Sequence, residues 1–338
     1  MKALPTGTEA GPVTIYDVAA RAGVGIATVS RALRGSAPVA DATRQRVLAA
    51  VQELGFRPSH AGTSLAERRH AANGIVLPDL SGPYYAEVLL GYEEEASRLG
   101  RSVLVLATHG RPDPEGTVRD LARRVDGLVV LGRTVDDEIV AELAATGLPV
   151  VLVARRPVDD VDTIRTDGGS TARALGEHLA GHGVRRVAFL GSPDLSPDVH
   201  DRWSGIRAGL SAHGIEPSVE PCLFDEGSGT RVAAGLLAAA DRPDALVCAN
   251  DEIALGAIVA AEGLDLRVGS DVAITGWDDV MAARHARPGL TTVRQPMRAL
   301  GARAAIALDE RITGDRTTPQ HESLPTALVV RDSCGSHP

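Results

Sequence analysis

Residues 13–54 hold two short stretches of helical periodicity on either side of Gly23-Val24-Gly25, followed by an arginine-rich third stretch. Thr14 followed by Asp17 is a near capping box and starts a helix over 15–22, with Ile15, Val18, Ala19 and Ala22 at helical spacing. Gly23 breaks that helix. A second runs over 26–33 with Val29, Ala32 and Leu33 inward and Ile26, Ala27, Ser30 and Arg31 outward, and a third over 41–54 buries Val47, Leu48, Val51 and Leu54 against the other two. The outer face of the second helix is small at its N-terminal end. Ile26 and Ala27 permit close approach and apolar contact with thymine methyls, and Arg31 reaches a guanine or a phosphate. Such a tri-helical unit is shaped to put one helix into a groove of double-stranded DNA.

The charge distribution agrees. A net charge of −9 over 338 residues opposes a polyanion only if it is spread evenly, and it is not: residues 1–70 carry nine Lys and Arg against five Asp and Glu, the rest 26 against 39. An acidic body limits nonspecific attraction to phosphates and leaves the attraction local to the basic end. Cys222, Cys248 and Cys334 are odd in number and far apart, which suits a reducing compartment and offers no metal spacing. No secretory signal or run of eighteen apolar residues is visible, so the expectation is a cytoplasmic protein without a membrane partner, with a disordered leader over 1–12.

From Asn73 onward short apolar runs alternate with helical stretches. Strands are expected at 75–77, 103–106, 127–131 and 149–153, then at 187–191, 245–249 and 272–276; helices at 84–99, 136–145, 170–180, 203–212, 229–239 and 252–261. Two parallel α/β units with a cleft between them account for this rhythm. Ligands of such sheets sit outside the carboxyl ends of the strands, which nominates 78–85, Arg155, Asn250 and 277–279. Arg155 has two readings, a group that favours a ligand bearing carboxylate or phosphate and a solvated hinge residue.

Enzymatic chemistry finds no support. G-x-x-x-x-G-K, G-x-S-x-G and H-E-x-x-H are all absent, and no cofactor is implied. His178 and His182 are four apart, but with no third ligand at recognisable spacing they read as ordinary helix surface, and no metal is expected.

The N-terminal segment resembles the headpiece of the LacI/GalR family of bacterial transcriptional regulators, T-x-x-D-V-A-x-x-A-G-V-S-x-x-T-V-S-R-x-L followed by V-x-x-x-T-R. The match runs without gaps through Thr14, Asp17, Val18, Ala19, Ala22, Gly23, Val24, Thr28, Val29, Ser30, Arg31, Leu33, Val39, Thr43 and Arg44. The resemblance implies base reading by Ile26, Ala27 and Arg31, phosphate contacts from Tyr16, Thr28, Ser30 and Thr43, and a place for Thr14 in the same surface. Gly25 and Ala40 stand where the family usually has capping serines, a loss of about 1 kcal/mol or less at each helix start. Pro58, Ser64 and Leu65 match the family's hinge helix, in which Leu65 would wedge into the minor groove. Gly62 and Thr63 depart from its usual Ala-Arg. The hinge is therefore expected to order only on DNA.

The body resembles the family's effector-binding core, itself similar to periplasmic sugar-binding proteins, in the stretches from Pro78, Asp201, Ala249 and Thr275 and in P-G-L-T-T-V-R-Q-P from Pro288. By that resemblance Arg202, Asn250 and Asp278 clamp a small sugar-like effector, with Tyr84 and Tyr85 on the opposite lobe. Ser81, Arg155 and Trp277 complete the expected set.

The predicted fold is thus an all-α helix-turn-helix headpiece (13–57), a hinge helix and linker (58–72), and a two-lobed α/β core of the periplasmic-binding-protein kind (73–333). Lobe 1 is expected over 73–162 and 293–319, lobe 2 over 163–289 and 320–333, and a tail over 334–338. The expected function is a homodimeric, DNA-binding transcriptional regulator, a repressor, reading a near-palindromic operator under control of a sugar or sugar derivative. The rival reading is a solute-binding protein of a transport system.

Overall fold

The computed structural model describes residues 13–34, 38–56, 70–132 and 134–335. They belong to two units that divide between His70 and Ala71. The expected leader, Leu65 and most of the expected hinge lie outside the described residues.

The first unit consists of α1 (Ile15–Ala22), α2 (Ile26–Arg34) and α3 (Asp41–Leu54). The Asp17 carboxylate accepts from the Thr14 backbone N–H at 2.8 Å and from its hydroxyl at 2.6 Å, which fixes the first turn of α1. Gly23 ends the helix with φ of 65°, a left-handed conformation that costs glycine nothing. Val18, Val29 and Val47, one from each helix, are fully buried, and Ala22, Ala32 and Ala50 beside them are small enough for close packing. Leu48 was expected in this core and is instead 38% exposed. The inward stripe of α3 is narrow, with Val47 and Ala50 buried and Val51 and Leu54 partly so. Leu48, about 100° around the helix from Val47, falls outside it.

The second unit is built on two parallel sheets. The first has strand order β11-β5-β4-β3-β1-β2, from β1 (Ala72–Leu77), β2 (Ser102–Ala107), β3 (Gly127–Leu131), β4 (Val150–Val153), β5 (Asp162–Asp167) and β11 (His321–Pro325). The second has the order β7-β6-β8-β9, from β6 (Val187–Leu190), β7 (Ser218–Glu220), β8 (Ala245–Cys248) and β9 (Ala273–Thr275). A small antiparallel pair, β10 (Thr292–Arg294) and β12 (Ala327–Val329), accompanies them. Central strands are apolar on both faces: Ile75, Val129 and Val151 enter one core while Val76, Val130 and Leu152 enter the other, as the two-residue period of a strand requires.

Helices carry the crossovers. In chain order they are α4 (Pro83–Arg98), α5 (Pro114–Ala122), α6 (Asp137–Ala145), α7 (Gly169–Gly181), α8 (Pro197–Ser211), α9 (Glu226–Leu237), α10 (Asp251–Gly263), α11 (Met281–His285) and α12 (Met297–Thr313). The α4 and α12 backbones touch. A Cβ at Gly91 would lie 2.0 Å from the Arg298 carbonyl oxygen, and one at Gly301 would lie 1.9 Å from that of Val88.

The exchange between the sheets differs from expectation. Segments 163–167 and 321–325, expected in lobe 2, lie instead in the first sheet, where β5 and β11 pair with each other, so the chain leaves that sheet after Asp167 and again after Pro325. Neither strand carries the apolar run of the central strands. Asp162 is buried because its carboxylate accepts from Arg316 at 2.5 Å and from the Gln320 N–H at 2.9 Å. Partners 154 and 158 residues away are invisible to a local pattern. Helix α8 begins six residues earlier than the 203–212 expected, with proline at its first turn, where the missing N–H is not needed.

Candidate functional site

In the first unit the outward face of α2 is open to solvent. Ile26 is 38% exposed, Ala27 and Arg31 are exposed, and Thr28 and Ser30 are half-buried. The Arg31 Nε donates to the Ala27 carbonyl at 3.1 Å, which lays the guanidinium along the helix. Tyr16 is 68% exposed on α1, Thr14 stands exposed before it, and Thr43 is half-buried in the first turn of α3. Both helix starts lack a capping side chain: the Thr28 and Val29 amides donate to the Gly25 carbonyl at 2.8 and 3.2 Å, and Ala40 precedes α3.

In the second unit the carboxyl ends of both sheets converge on a cavity of about 320 Å³. From the first sheet come Pro78, Asp79, Ser81, Tyr84 and Tyr85 after β1, Leu131 and Gly132 at β3, and Ala154 after β4. The second sheet contributes Asp198, Val199 and Arg202 of α8, Phe224, Asn250 and Glu252 after β7 and β8, and Asp278 after β9. Six of the eight expected effector residues are thereby brought together: Ser81, Tyr84, Tyr85, Arg202, Asn250 and Asp278.

Two of the expected residues are not among those lining the cavity. Arg155 is 2% exposed and spends its guanidinium on the Gly132 and Val135 carbonyls, at 3.0 and 3.1 Å, and on the Asp137 carboxylate. It ties β4 to the turn before α6 and borders a separate depression with Asp194 and His200. Trp277 is 1% exposed and lies beneath Arg202, whose guanidinium carbon is 4.9 Å from its ring centroid.

The polar groups of the cavity are held in place. Arg202 donates to the Ala249 carbonyl at 2.7 Å, Asn250 caps α10 by accepting from the Ile253 N–H at 3.0 Å, and Asp278 accepts from the Gln295 amide at 2.6 Å. The rings of Tyr84 and Tyr85 meet edge to face, 5.3 Å apart at 84°. Ala154 and Asp278, both on the cavity wall, have φ of 54° and 121°, conformations strained for residues other than glycine.

Acidity is the feature missed from sequence. Asp79, Asp198, Glu252 and Asp278 face a single cation, Arg202, among the lining residues. Burial pushes the Asp278 carboxyl up to about 7, with Arg202 and the Gln295 hydrogen bond pulling the other way and Glu252 adding to the rise. Burial likewise raises the Asp198 and Glu252 carboxyls. The Tyr85 hydroxyl is pushed up to about 12, and Tyr84 rises too, by burial and by the nearby carboxylates. Both tyrosines therefore stay neutral donors. Asp198 sits one turn before Arg202 on α8, a signal hidden by the late start expected for that helix.

Comparison with known proteins decides the lineage. The profile of bacterial regulatory proteins of the lacI family matches residues 14–59, and that of the periplasmic binding protein-like domain matches 177–334. The chain is 33% identical to the HTH-type transcriptional repressor PurR of Mannheimia succiniciproducens over 95% of its own length and 98% of that protein's. It belongs to the LacI family of bacterial regulatory proteins. Another relative, the HTH-type transcriptional regulator CelR of Thermobifida fusca, is also 33% identical over 95% of this chain and 98% of its own. The lac repressor dimer bound to operator and the anti-inducer ONPF superimposes with a TM-score of 0.87 at 29% identity, covering 96% of this chain and all of that one. This family member is a DNA-binding transcriptional regulator rather than a transport protein or an enzyme. Among its described residues no helix is long and apolar enough to cross a membrane.

Proposed function

We propose that this regulator acts as a homodimeric repressor in the cytoplasm, reading an inverted-repeat operator, and that a small, hydroxyl-rich, sugar-like effector in the cavity sets its operator affinity. The observation that carries the effector reading is the cavity at the carboxyl ends of both sheets, with Arg202, Asn250 and Asp278 opposite Tyr84 and Tyr85. A guanidinium, an amide and a carboxyl group supply fixed donors and acceptors for hydroxyls, and an aromatic face suits a sugar ring. With Arg155 outside the cavity lining, the reading of an anionic ligand loses its basis. Four carboxyl groups against one guanidinium disfavour a carboxylate or phosphate and favour a neutral ligand. A structure of the relative CelR with cellobiose, 32% identical and superimposing with a TM-score of 0.71, supports the ligand class.

On the DNA side the proposal assigns base contacts to Ile26, Ala27 and Arg31 and phosphate contacts to Thr14, Tyr16, Thr28, Ser30 and Thr43, with Leu65 wedged in the minor groove. The effector controls operator binding only through a difference in its affinity for two arrangements of the lobes. Selection of genomic DNA fragments by the intact chain, followed by gel shifts over a salt series with and without candidate sugars, tests both halves. Retained fragments are expected to share a near-palindrome, Arg31→Ala is expected to cost about 1–3 kcal/mol of specific binding, and one sugar class is expected to change affinity. Sequence-independent retention, or indifference to every neutral sugar alongside a response to an anionic metabolite, overturns the respective half.

A further inference from the structure

Helix α7 carries His178 and His182 one turn apart, a pair to which neighbouring sequence adds no third ligand. The fold adds one. After β12 the chain closes in a 3-10 turn, Asp332–Cys334, that packs against β9 and brings the Cys334 Sγ to 3.4 Å from the His178 Nε2 across 156 residues of sequence. The two imidazoles meet edge to face with centroids 4.8 Å apart, and the ligand atoms of all three residues lie within 4.8 Å of one another.

The thiol stands on a fixed bed. Cys334 is 3% exposed, its Sγ lies 3.0 Å from the Thr291 hydroxyl, and next to it the Ser333 hydroxyl donates to the Ile274 carbonyl at 2.6 Å. The Ser333 N–H donates to the Gly289 carbonyl at 3.0 Å. The two histidines are half-buried, which leaves a path for an ion.

We propose that His178, His182 and Cys334 form a Zn²⁺ site that staples the C-terminal turn to α7. Zn–N and Zn–S bonds of about 2.0–2.3 Å in tetrahedral geometry set ligand atoms about 3.3–3.6 Å apart, a spacing that the His178–Cys334 pair already has. The other separations, at most 4.8 Å, need a shift of about 1 Å to reach it. One thiolate and two imidazoles select Zn²⁺ or Co²⁺ over Mg²⁺ and Ca²⁺, which prefer oxygen, and solvent fills the fourth position. Binding releases the thiol proton to water. The staple joins two segments that follow passages out of the first sheet, α7 after β5 and the terminal turn after β11 and β12, and so fastens the end of the chain within the second lobe.

The intact protein, stripped with a chelator and titrated with Co²⁺, tests this. One equivalent is expected to bind with a thiolate-to-cobalt charge-transfer band in the near ultraviolet and visible bands of tetrahedral strength, all bleached by Zn²⁺. Cys334→Ser is expected to lose the charge-transfer band although Cys222 and Cys248 remain, and His182→Gln to weaken Co²⁺ binding at least about tenfold with its circular dichroism unchanged. A band that persists in Cys334→Ser, no band in the parent protein, or equal affinity in the parent and His182→Gln overturns the site. Should Cys334→Ser fail to fold, the affinities of His178→Gln and His182→Gln decide alone.

Discussion

The Arg202 guanidinium lies 4.9 Å from the centroid of the Trp277 ring and donates to the Ala249 carbonyl at 2.7 Å. One side chain thereby joins α8, the end of β8 and the turn after β9 beneath the ligand cavity. Its charge also opposes the carboxyl groups of Asp198 and Asp278. Removing it takes away the only cation acting on Asp278 among the described residues, leaves Asp198 with Arg165 alone, and leaves the indole without its cation.

Arg202→Met is therefore expected to lower stability by about 1–3 kcal/mol, the usual scale for losing a buried hydrogen bond made by a charged group. Effector response should disappear while operator binding without effector persists, because α1–α3 form a core of their own. Urea unfolding and gel shifts of the same preparation measure both. A variant that keeps its effector response rules out the clamp.

Asp278 gives a pH signature. Its carboxyl is raised to about 7 in the folded protein by burial, against roughly 3.9 in an unfolded chain. The folded state thus binds the extra proton, and the stability this group contributes is fully present below pH 4 and is lost as pH rises through 7. Asp278→Asn removes that titration. Relative to the parent, its stability is expected to climb between pH 4 and 7 and level off above. Thermal melts of both proteins across that range check the sign, and parallel curves refute it.

Gly301→Ala tests the contact between α4 and α12. The added methyl would sit 1.9 Å from the Val88 carbonyl oxygen and 2.6 Å from the Tyr92 nitrogen, backbone atoms that cannot rotate away. Overpacking of this kind costs typically 1–3 kcal/mol, and about 2 kcal/mol or more is expected here. A denaturant midpoint unchanged from the parent contradicts the packing described.

Ala40→Ser tests the start of α3 in the opposite direction. Ala40 sits at the N-cap with φ of −53° and ψ of 134° and no side-chain bond. A serine hydroxyl there can accept from the amides of the first turn, for a gain of about 1 kcal/mol. The measurement is the melting of the headpiece, followed by amide exchange in α3; no slowing of exchange means the cap does not form.

How much of this was legible in sequence follows from the range of the forces involved. Helix starts and stops in the headpiece depend on neighbours three or four residues away, so Thr14, Asp17 and Gly23 could be read directly. The apolar runs of β1, β3, β4, β6 and β8 are buried on both faces and announce themselves by composition. Leu48 shows the limit even here, since the width of the buried stripe on α3 is set by how closely three alanines let the helices approach.

What sequence alone determined is a three-helix unit with an exposed, small-faced second helix, two parallel α/β layers, and ligand candidates at their strand ends, because periodicity and turn chemistry are local. Tertiary structure decided which candidates meet. It spent Arg155 on two carbonyls and Asp137, put Trp277 under Arg202, gathered Asp79, Asp198, Glu252 and Asp278 from four segments, and carried Cys334 to His178. The reason is that strand order and chain crossings fix distances between residues far apart in sequence, and at a few ångströms those distances determine whether a charge is a strut, a clamp or a ligand.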